Sequence, residues 1–259
     1  MRIPLTEYAW PQVVLFPVAL LAIMGFYALI GIFFLSAWAI ITVEVVLAII
    51  LIWVLSFFRD PYRTCPSDRD ILLAPADGRI TDIETVEEGN FVGGAALRVG
   101  IFLSIFNAHI NRAPCNVTVE KITCRRGKHK NAAYPHSGQV NESNDLELIR
   151  TDSPKDRLVV RQISGSVARR IVCKASEGQQ LASGEKFGMI KFGSRTELYV
   201  PIIKSSCVVC DASCVESNTQ YPVRDTQYEI KCLVQIGDKV KAGLTPIVKY
   251  ETSVAYRNQ

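Results

Sequence analysis

Charged side chains are almost missing from the first 58 residues of this 259-residue chain. Only Arg2, Glu7 and Glu44 carry charge there, and the apolar run that surrounds Glu44 reaches from residue 13 to residue 58. The run is too long for one buried core helix, and it lacks the basic start and small-residue cleavage site of a signal peptide. Because one membrane-spanning helix needs about 20 apolar residues, the run is long enough for two.

We therefore predict two transmembrane helices, over residues 13–33 and 37–57, with a turn near 34–38. Arg2 precedes the first helix, and Arg59 and Arg63 follow the second. Basic residues favour the cytoplasmic side of a membrane. We expect both ends of this hairpin, and the domain that follows, to lie at the cytoplasmic face of the cell membrane.

Strong charge clusters are also absent from the remainder of the chain. The whole chain has 29 Lys and Arg against 25 Asp and Glu, a formal net charge of +4. This mild excess suits a domain that rests near anionic lipid. Without a long basic cluster or a basic motif interleaved with aromatic residues, binding to nucleic acid is not expected.

The eight cysteines do not form a disulfide framework or a complete metal site. Cys207, Cys210 and Cys214 form a CxxC with a third Cys, but a second pair at suitable spacing is missing. Structural zinc usually takes four ligands. We expect no metal, and we interpret these cysteines as small apolar residues of buried strands.

After residue 60 the pattern changes to short β-like runs separated by turn residues. We predict an α+β fold with a mainly β catalytic domain, preceded by the hairpin, and a boundary between residues 1–60 and 61–259. The polar segment 126–156 is interpreted as a long loop or flap. The predicted strands are 79–85, 96–103, 116–124, 157–162, 167–173, 186–192, 196–201, 227–234 and 245–251.

Three histidines limit the choice of a general base. His129 and His136 lie in the polar segment and are expected to be solvated, whereas His109 follows an apolar strand. Ser194 follows Gly193, and Asp77 precedes a glycine in a turn. Ser194, His109 and Asp77 together offer a nucleophile, a base and an orienting carboxylate. From these residues alone, Gly-Ser and Asp-Gly are more often ordinary turns, and His109 is as often a core histidine.

Several segments in order resemble the short, membrane-anchored branch of the phosphatidylserine decarboxylases. The resemblance runs from about residue 57 to 243, and the two-span anchor that precedes this range also fits the family. Its segments are FFRDP (57–61), PADG (75–78), FLS (102–104), HINRAP (109–114), NE (141–142), GSVARRI (165–171), GEKFGMIKFGSR (184–195) and GDKVKAG (237–243).

The resemblance implies a self-cleaving, pyruvoyl-dependent enzyme. Ser194 would attack the carbonyl of Gly193, with His109 as base and Asp77 orienting it, to yield chains 1–193 and 194–259. Ser194 would become the pyruvoyl cofactor, which forms a Schiff base with the serine headgroup while carbon dioxide leaves. The expected partners are the phospholipid membrane, phosphatidylserine, the small chain held by the large chain, and a second copy in a homodimer.

One departure and three alternatives stay open at this point. Longer relatives have a second His where Arg112 stands, and Arg112 is a candidate for binding the lipid phosphate or carboxylate. An archaetidylserine decarboxylase would act on an ether lipid with the same chemistry. A membrane-anchored serine hydrolase would keep Ser194 and an intact chain. A tethered β module would catalyse nothing, and the closing GDKVKAG also resembles biotinyl or lipoyl carrier domains, although their modified lysine motif is missing.

Overall fold

The computed structural model describes residues 5–134, 137–166, 170–191, 193–202 and 225–255, with side chains undescribed at 225–227 and 252–255. Two long helices follow a short 3₁₀ helix at Glu7–Ala9. They are α1 (Gln12–Phe34) and α2 (Ala37–Phe57), and both are long and apolar enough to cross a membrane. The two predicted helices are confirmed to within one residue at each end.

The part that follows is mainly β, as predicted. A short helix, α3 (Ser137–Val140), interrupts the strands. The strands are β1 (Ile71–Leu73), β2 (Gly78–Glu88), β3 (Gly94–Leu103), β4 (Ile110–Arg112), β5 (Val117–Arg125), β6 (Ser143–Arg150), β7 (Arg157–Ile163), β8 (Ile171–Cys173), β9 (Gln180–Leu181), β10 (Lys186–Ile190), β11 (Ser194–Pro201), β12 (Asp225–Cys232), β13 (Lys239–Val240) and β14 (Pro246–Ala255).

These strands form three antiparallel sheets. The largest has eight strands in the order β13-β2-β3-β11-β7-β6-β5-β9, and the two smaller sheets run β1-β14-β12 and β4-β10-β8. Alternate residues of the large sheet point into one apolar core, which includes Ile101, Leu103, Leu146 and Leu198. The period of two in these strands follows from the pleat, which turns successive side chains to opposite faces.

The interpretation of 126–156 as a loop is wrong in part, because β6 and α3 lie within it. Leu146 and Leu148 of β6 enter the core. Beside them, Asp145 is buried in an ion pair and accepts from Arg161 at 2.6 and 2.8 Å. Within β6, the polarity that indicated a loop therefore comes from buried charge on the second face of the sheet.

The hairpin packs against the small sheet β4-β10-β8. Phe57 and Phe58 at the end of α2, with Val13 of α1, form an apolar cluster with Ile110 of β4 and Met189 of β10. This cluster joins the ends of the long helices to the two strands that flank the candidate site.

Candidate active site

Three neighbouring strands bring Asp77 and the Gly193–Ser194 bond to the same end of the large sheet. Arg79 of β2 and Arg195 of β11 both pair with Phe102 of the intervening β3. Because β2 and β11 run in the same direction, the residues that precede them leave the sheet at the same edge. Adjacent strands are about 4.8 Å apart, so the starts of β2 and β11 are separated by roughly 10 Å.

The Gly193–Ser194 bond has an unusual backbone setting. Gly193 has φ of 61°, in the left-handed region that favours glycine. Gly165 packs so closely on Gly193 that a Cβ at position 165 would overlap the Gly193 carbonyl oxygen. The scissile carbonyl predicted from the sequence is therefore held between a left-handed turn and the backbone of the segment that follows β7.

Ser194 is fully buried at the start of β11. In the part of the chain that the structure describes, its Oγ has no hydrogen-bond partner. A buried hydroxyl without a partner costs free energy, so its burial calls for an explanation. This arrangement leaves the hydroxyl free to act as a nucleophile.

His109 lies just before β4 and is fully buried. Its Nδ1 is 2.9 Å from the backbone oxygen of Asn107, which assigns the ring proton to Nδ1 and leaves the lone pair on Nε2. Nε2 has no partner among the described residues. The ring also contacts that of Phe57, with centroids 4.4 Å apart, so that the end of α2 forms one wall of the site.

The pKa of His109 is lowered to about 4. Burial is the main cause, because it disfavours the charged imidazolium. The carbonyl of Asn107 acts in the opposite direction, the positive charge of Arg59 lowers the pKa further, and the carboxylate of Asp77 raises it. The ring is therefore neutral at physiological pH and can accept a proton at Nε2.

Asp77 is not hydrogen-bonded to His109, which differs from the expected orienting contact. Its carboxylate accepts two hydrogen bonds from Arg63, at 2.6 and 2.7 Å, and a third from the amide of Ala242 at 2.8 Å. Bidentate contacts of this kind fix a carboxylate firmly. Asn107 holds the ring of His109 instead, and Asp77 acts on it through its charge.

The fixed place of Asp77 also changes the expectation for Arg63. The sequence assigned Arg63 to the membrane boundary, but its side chain is only 7% exposed and pairs with Asp77. Arg59 is the basic residue at the end of α2, where it donates to the carbonyls of Ser56 and Phe106 at 2.7 Å each. The PADG motif identified Asp77, but nothing in the sequence identified Arg63 as its partner.

A chain of buried amides connects β4 to β11. Asn111 donates to the hydroxyl of Thr196 at 3.1 Å and accepts from Gln162 at 2.8 Å. His109 and Ser194 each lie two residues before one partner of the Asn111–Thr196 contact. Since residues two apart in a strand share a face, this contact directs both side chains toward the same region.

Arg112 is buried away from open solvent, in contacts within the chain. It donates to the carbonyls of Gly184 and Pro61 at 3.0 and 3.1 Å and lies 3.5 Å from Asp60. Asp60 also accepts from Lys186 of β10 at 2.7 Å. These contacts fasten the FFRDP segment to β4 and β10, and they occupy the guanidinium that the sequence offered for lipid binding.

Arg195, next to Ser194, enters a buried ionic network on the second face of the large sheet. It is fully buried, donates to Glu197 and Thr81 at 2.7 Å each, and pairs with Asp82. Gly100 of β3 makes room for it, since a Cβ there would overlap the guanidinium. In the sequence, Arg195 and Glu197 alternate with Ser194 and Thr196. This alternation is the feature that could have indicated a charged second face of the sheet.

The other predicted polar residues lie apart from these groups or outside the described residues. His129, expected to be solvated, is exposed, and its Nδ1 lies 3.2 Å from the Ser164 hydroxyl. His136 and Cys207, Cys210 and Cys214 fall outside the described residues. Over the residues that are described, no three His, Cys, Asp or Glu side chains form a group able to hold a metal ion.

Comparisons with known proteins show the family to which the chain belongs. The family model for phosphatidylserine decarboxylase matches residues 50–247. A phosphatidylserine decarboxylase proenzyme of Carboxydothermus hydrogenoformans is 42% identical over 153 residues, 59% of this chain and 70% of the relative. That of Magnetococcus marinus is 42% identical over 161 residues, 62% of this chain and 72% of the relative.

A third relative matches a larger share of the chain. The phosphatidylserine decarboxylase proenzyme of Rhodopirellula baltica is 38% identical over 214 residues, which are 83% of this chain and 77% of the relative. The matched region includes His109, Asn111, Gly165 and Ser194 within the family model's limits. The chain therefore belongs to the phosphatidylserine decarboxylase family.

Proposed function

We propose that this chain is a self-processing, pyruvoyl-dependent decarboxylase that converts phosphatidylserine to phosphatidylethanolamine and carbon dioxide. The observation that carries the proposal is the state of Ser194. It is fully buried, its Oγ has no partner among the described residues, and it follows a left-handed Gly193. A buried, unpaired hydroxyl beside a constrained carbonyl fits a residue that attacks its own peptide bond.

Self-cleavage would begin with an N-to-O acyl shift. Ser194 Oγ attacks the Gly193 carbonyl carbon, and His109, neutral because burial lowers its pKa, takes the hydroxyl proton. The C–N bond breaks, and an ester joins Gly193 to the Ser194 side chain. The left-handed φ of Gly193 and the contact with Gly165 fix the direction in which this carbonyl faces.

The ester is then removed by β-elimination. Loss of the Ser194 α-proton breaks the Cβ–Oγ bond, so that Gly193 leaves as the carboxylate end of chain 1–193. The resulting dehydroalanine at position 194 takes up water and loses ammonia, which leaves a pyruvoyl group at the start of chain 194–259. Pairing of β11 with β3 and β7 on both sides would hold the new end in place.

In catalysis, the pyruvoyl group supplies an electron sink for the negative charge that remains when carbon dioxide leaves the serine headgroup. His109 is the group that we assign to hold and return the proton at the decarboxylated carbon. Arg112, which stands where longer relatives have a second His, is occupied by Asp60, Pro61 and Gly184. Its contacts support a fastening role in place of lipid binding.

Asp77 would assist by its charge. It is 7% exposed and is held by Arg63 and the amide of Ala242. Its negative charge raises the pKa of His109 against the effect of burial, and it stabilises the imidazolium that forms when the ring takes a proton. This role needs proximity rather than a hydrogen bond.

The hairpin, residues 1–60, would anchor the catalytic domain, residues 61–259, at the cytoplasmic face of the membrane. Two helices of suitable length and the basic residue Arg59 at the end of α2 support this orientation. A lipid substrate makes such an anchor useful, because the headgroup has to reach Ser194 from the bilayer surface. The partners are the bilayer, the lipid, and the two chains bound to each other, with a homodimer as the further assembly.

Intact-mass analysis of the purified chain tests the proposal. Wild-type protein should give two fragments, split between residues 193 and 194, with the smaller one blocked to Edman sequencing. Ser194→Ala should remain whole. The processed enzyme should release carbon dioxide from phosphatidylserine, and an ether-linked serine lipid serves as the comparison substrate. An active wild-type preparation that remains whole would contradict the proposal and favour a serine hydrolase.

A further inference from the structure

Lys191 lies where the catalytic domain meets the ends of the membrane helices. It is the first residue after β10, whose Met189 packs against Phe57 and Val13 of the hairpin. Its Nζ donates to the side-chain oxygen of Gln12 at 3.1 Å, and Gln12 is the first residue of α1. The ammonium group is therefore placed at the level where α1 enters the membrane, which is the level of lipid headgroups.

This ammonium group is buried without an acidic partner. Lys191 is 6% exposed, and no carboxylate in the described part of the chain lies within ion-pair distance of its Nζ. The nearby cation is Arg170, whose backbone oxygen accepts from the Lys191 amide at 3.3 Å. Burial lowers the pKa of Lys191, and the positive charge of Arg170 acts in the same direction.

Lys191 and Arg170 place two positive charges close together, and the buried one, Lys191, requires a compensating negative charge. Buried lysines are almost always paired, because taking an ammonium out of water costs several kcal/mol. The neutral amide oxygen of Gln12 satisfies one of the three Nζ donors of Lys191 and supplies no charge. An anion that enters from the bilayer surface would satisfy the remaining donors and offset the repulsion from Arg170.

The spacing along the chain relates this place to the reacting atom. Lys191 precedes Ser194 by three residues, so that their Cα atoms lie at most about 10 Å apart. In a serine phospholipid, only the two serine carbons and an ester oxygen separate the headgroup nitrogen from phosphorus. When the nitrogen meets residue 194, the phosphate therefore falls within reach of Lys191.

We propose that Lys191, with Arg170 beside it, binds the phosphodiester of the lipid substrate and so sets the depth at which the serine headgroup reaches residue 194. The assignment rests on the proposed function, whose substrate it positions. It replaces Arg112, whose guanidinium is occupied within the chain. Lys191 is a substrate-binding residue in this assignment, and it takes no part in breaking the Gly193–Ser194 bond.

Variants at Lys191 test the assignment by separating KM from kcat. Lys191→Gln removes the charge and keeps a polar group beside Gln12, and Lys191→Arg restores the charge. Lys174→Gln is the matched control, because Lys174 lies on the same side, is 51% exposed and pairs with Glu7. Self-cleavage is first measured by intact mass, and turnover is then measured against the mole fraction of phosphatidylserine in neutral mixed micelles.

We expect Lys191→Gln to cleave itself as wild type does, and to raise KM roughly tenfold to hundredfold with kcat within about twofold. Lys191→Arg and Lys174→Gln should remain near wild type. An unchanged KM in Lys191→Gln, or an equal rise in Lys174→Gln, would overturn the assignment. Wild-type protein that neither cleaves nor turns over phosphatidylserine would instead overturn the proposed function.

A binding measurement on uncleaved protein gives an answer that does not depend on turnover. Short-chain phosphatidylserine is titrated against full-length Ser194→Ala, with and without Lys191→Gln. The Kd should rise by the same factor as KM, and it decides the matter if Lys191→Gln alone fails to cleave. Inorganic phosphate is the second arm: if it displaces the lipid at millimolar concentration, the site binds free phosphate and the lipid assignment fails.

Discussion

Gly165 lies directly against the carbonyl oxygen of Gly193, so closely that a Cβ on Gly165 would overlap that oxygen. The two glycines belong to segments that follow β7 and precede β11, which are neighbours in the large sheet. Position 193 requires glycine because its φ is left-handed, and position 165 requires glycine because there is no space for a Cβ. The carbonyl that Ser194 is proposed to attack is thus placed by backbone packing.

Gly165→Ala should slow or abolish self-cleavage. The added methyl group has to displace the Gly193 carbonyl. A small displacement of a reacting group lowers the rate strongly when the reaction depends on orientation. The time course of fragment formation, followed by intact mass, measures the effect. Gly89→Ala is the control, because no atom lies within 4 Å of a Cβ built there. Wild-type kinetics in Gly165→Ala would contradict the placement.

Self-cleavage should persist at mildly acid pH. The base form of His109 is required, and burial lowers the pKa of His109 to about 4, compared with about 6.5 for a free histidine. The rate should therefore hold from neutral pH down to about pH 5 and fall only near pH 4. Fragment formation at a series of pH values tests this, and a midpoint near 6.5 would show that the ring is open to water.

The same shift has a consequence for stability. Because the folded pKa of His109 lies below the unfolded one, the unfolded chain binds more protons between about pH 4 and 6.5. The contribution of His109 is present above the unfolded pKa and is lost as pH falls through that window. As the pH is lowered from 6.5 to 4, the Tm of Ser194→Ala should therefore fall more steeply than the Tm of the double variant Ser194→Ala with His109→Phe.

Phe57→Ala should raise the pH at which the self-cleavage rate falls, toward the pH at which free histidine titrates. The Phe57 ring covers His109 at 4.4 Å, and burial is the largest cause of the lowered pKa. Loss of the ring also costs about 3–5 kcal/mol of stability. Phe57→Leu, which keeps apolar cover, should shift this pH less. Phe33→Ala, at a position that is 75% exposed, should leave it unchanged.

The sequence predicted the features that depend on local composition and on short motifs. The long apolar run located α1 and α2, and short β-like runs between turn residues located strands such as β3 and β7. β6 was missed because Asp145 is buried against Arg161, and a charge in sequence indicates solvent unless its partner is known. Pairings between distant residues of this kind are set by the fold.

In the candidate site too, local motifs identified the residues, whereas the contacts between them are set by the fold. Motifs singled out Ser194, His109 and Asp77, whose chemistry is recognisable by residue type. They could not show that Asn107 holds the ring of His109 or that Arg63 holds Asp77, because those contacts depend on a turn and on a segment 14 residues away. Phe57 was placed at the end of the second helix and in the FFRDP segment, and neither position indicated that its ring contacts His109.

Arg63 and Asp77 should be strongly coupled. Their side chains are 7% and 10% exposed, and removal of one partner leaves a buried charge uncompensated, at a cost of about 3–5 kcal/mol. A double-mutant cycle with Arg63→Met and Asp77→Asn in a Ser194→Ala background measures the coupling by denaturant unfolding. We expect about 1–3 kcal/mol. The exposed pair Lys231 and Glu251 is the control and should give less than about 1 kcal/mol.

Arg195→Met should destabilise the chain and slow its cleavage together. The guanidinium is the shared partner of Asp82 and Glu197, and its loss would leave two carboxylates buried on the second face of the sheet. The expected cost is about 3–5 kcal/mol, measured by unfolding of the Ser194→Ala form. Because β11 starts at Ser194, loosening of its neighbour should also reduce the rate of fragment formation in the otherwise wild-type chain.

Gly100→Ala tests the same network from the opposite strand. A Cβ at Gly100 would overlap the Arg195 guanidinium, so this variant should reproduce both effects without removal of any charge. Arg69→Met removes an arginine that is 78% exposed and should change neither unfolding nor cleavage. If Arg195→Met and Gly100→Ala lower stability but leave the cleavage rate intact, the network supports the sheet alone. A joint loss would mean that the buried ion pairs hold the start of β11 where Ser194 can reach the Gly193 carbonyl.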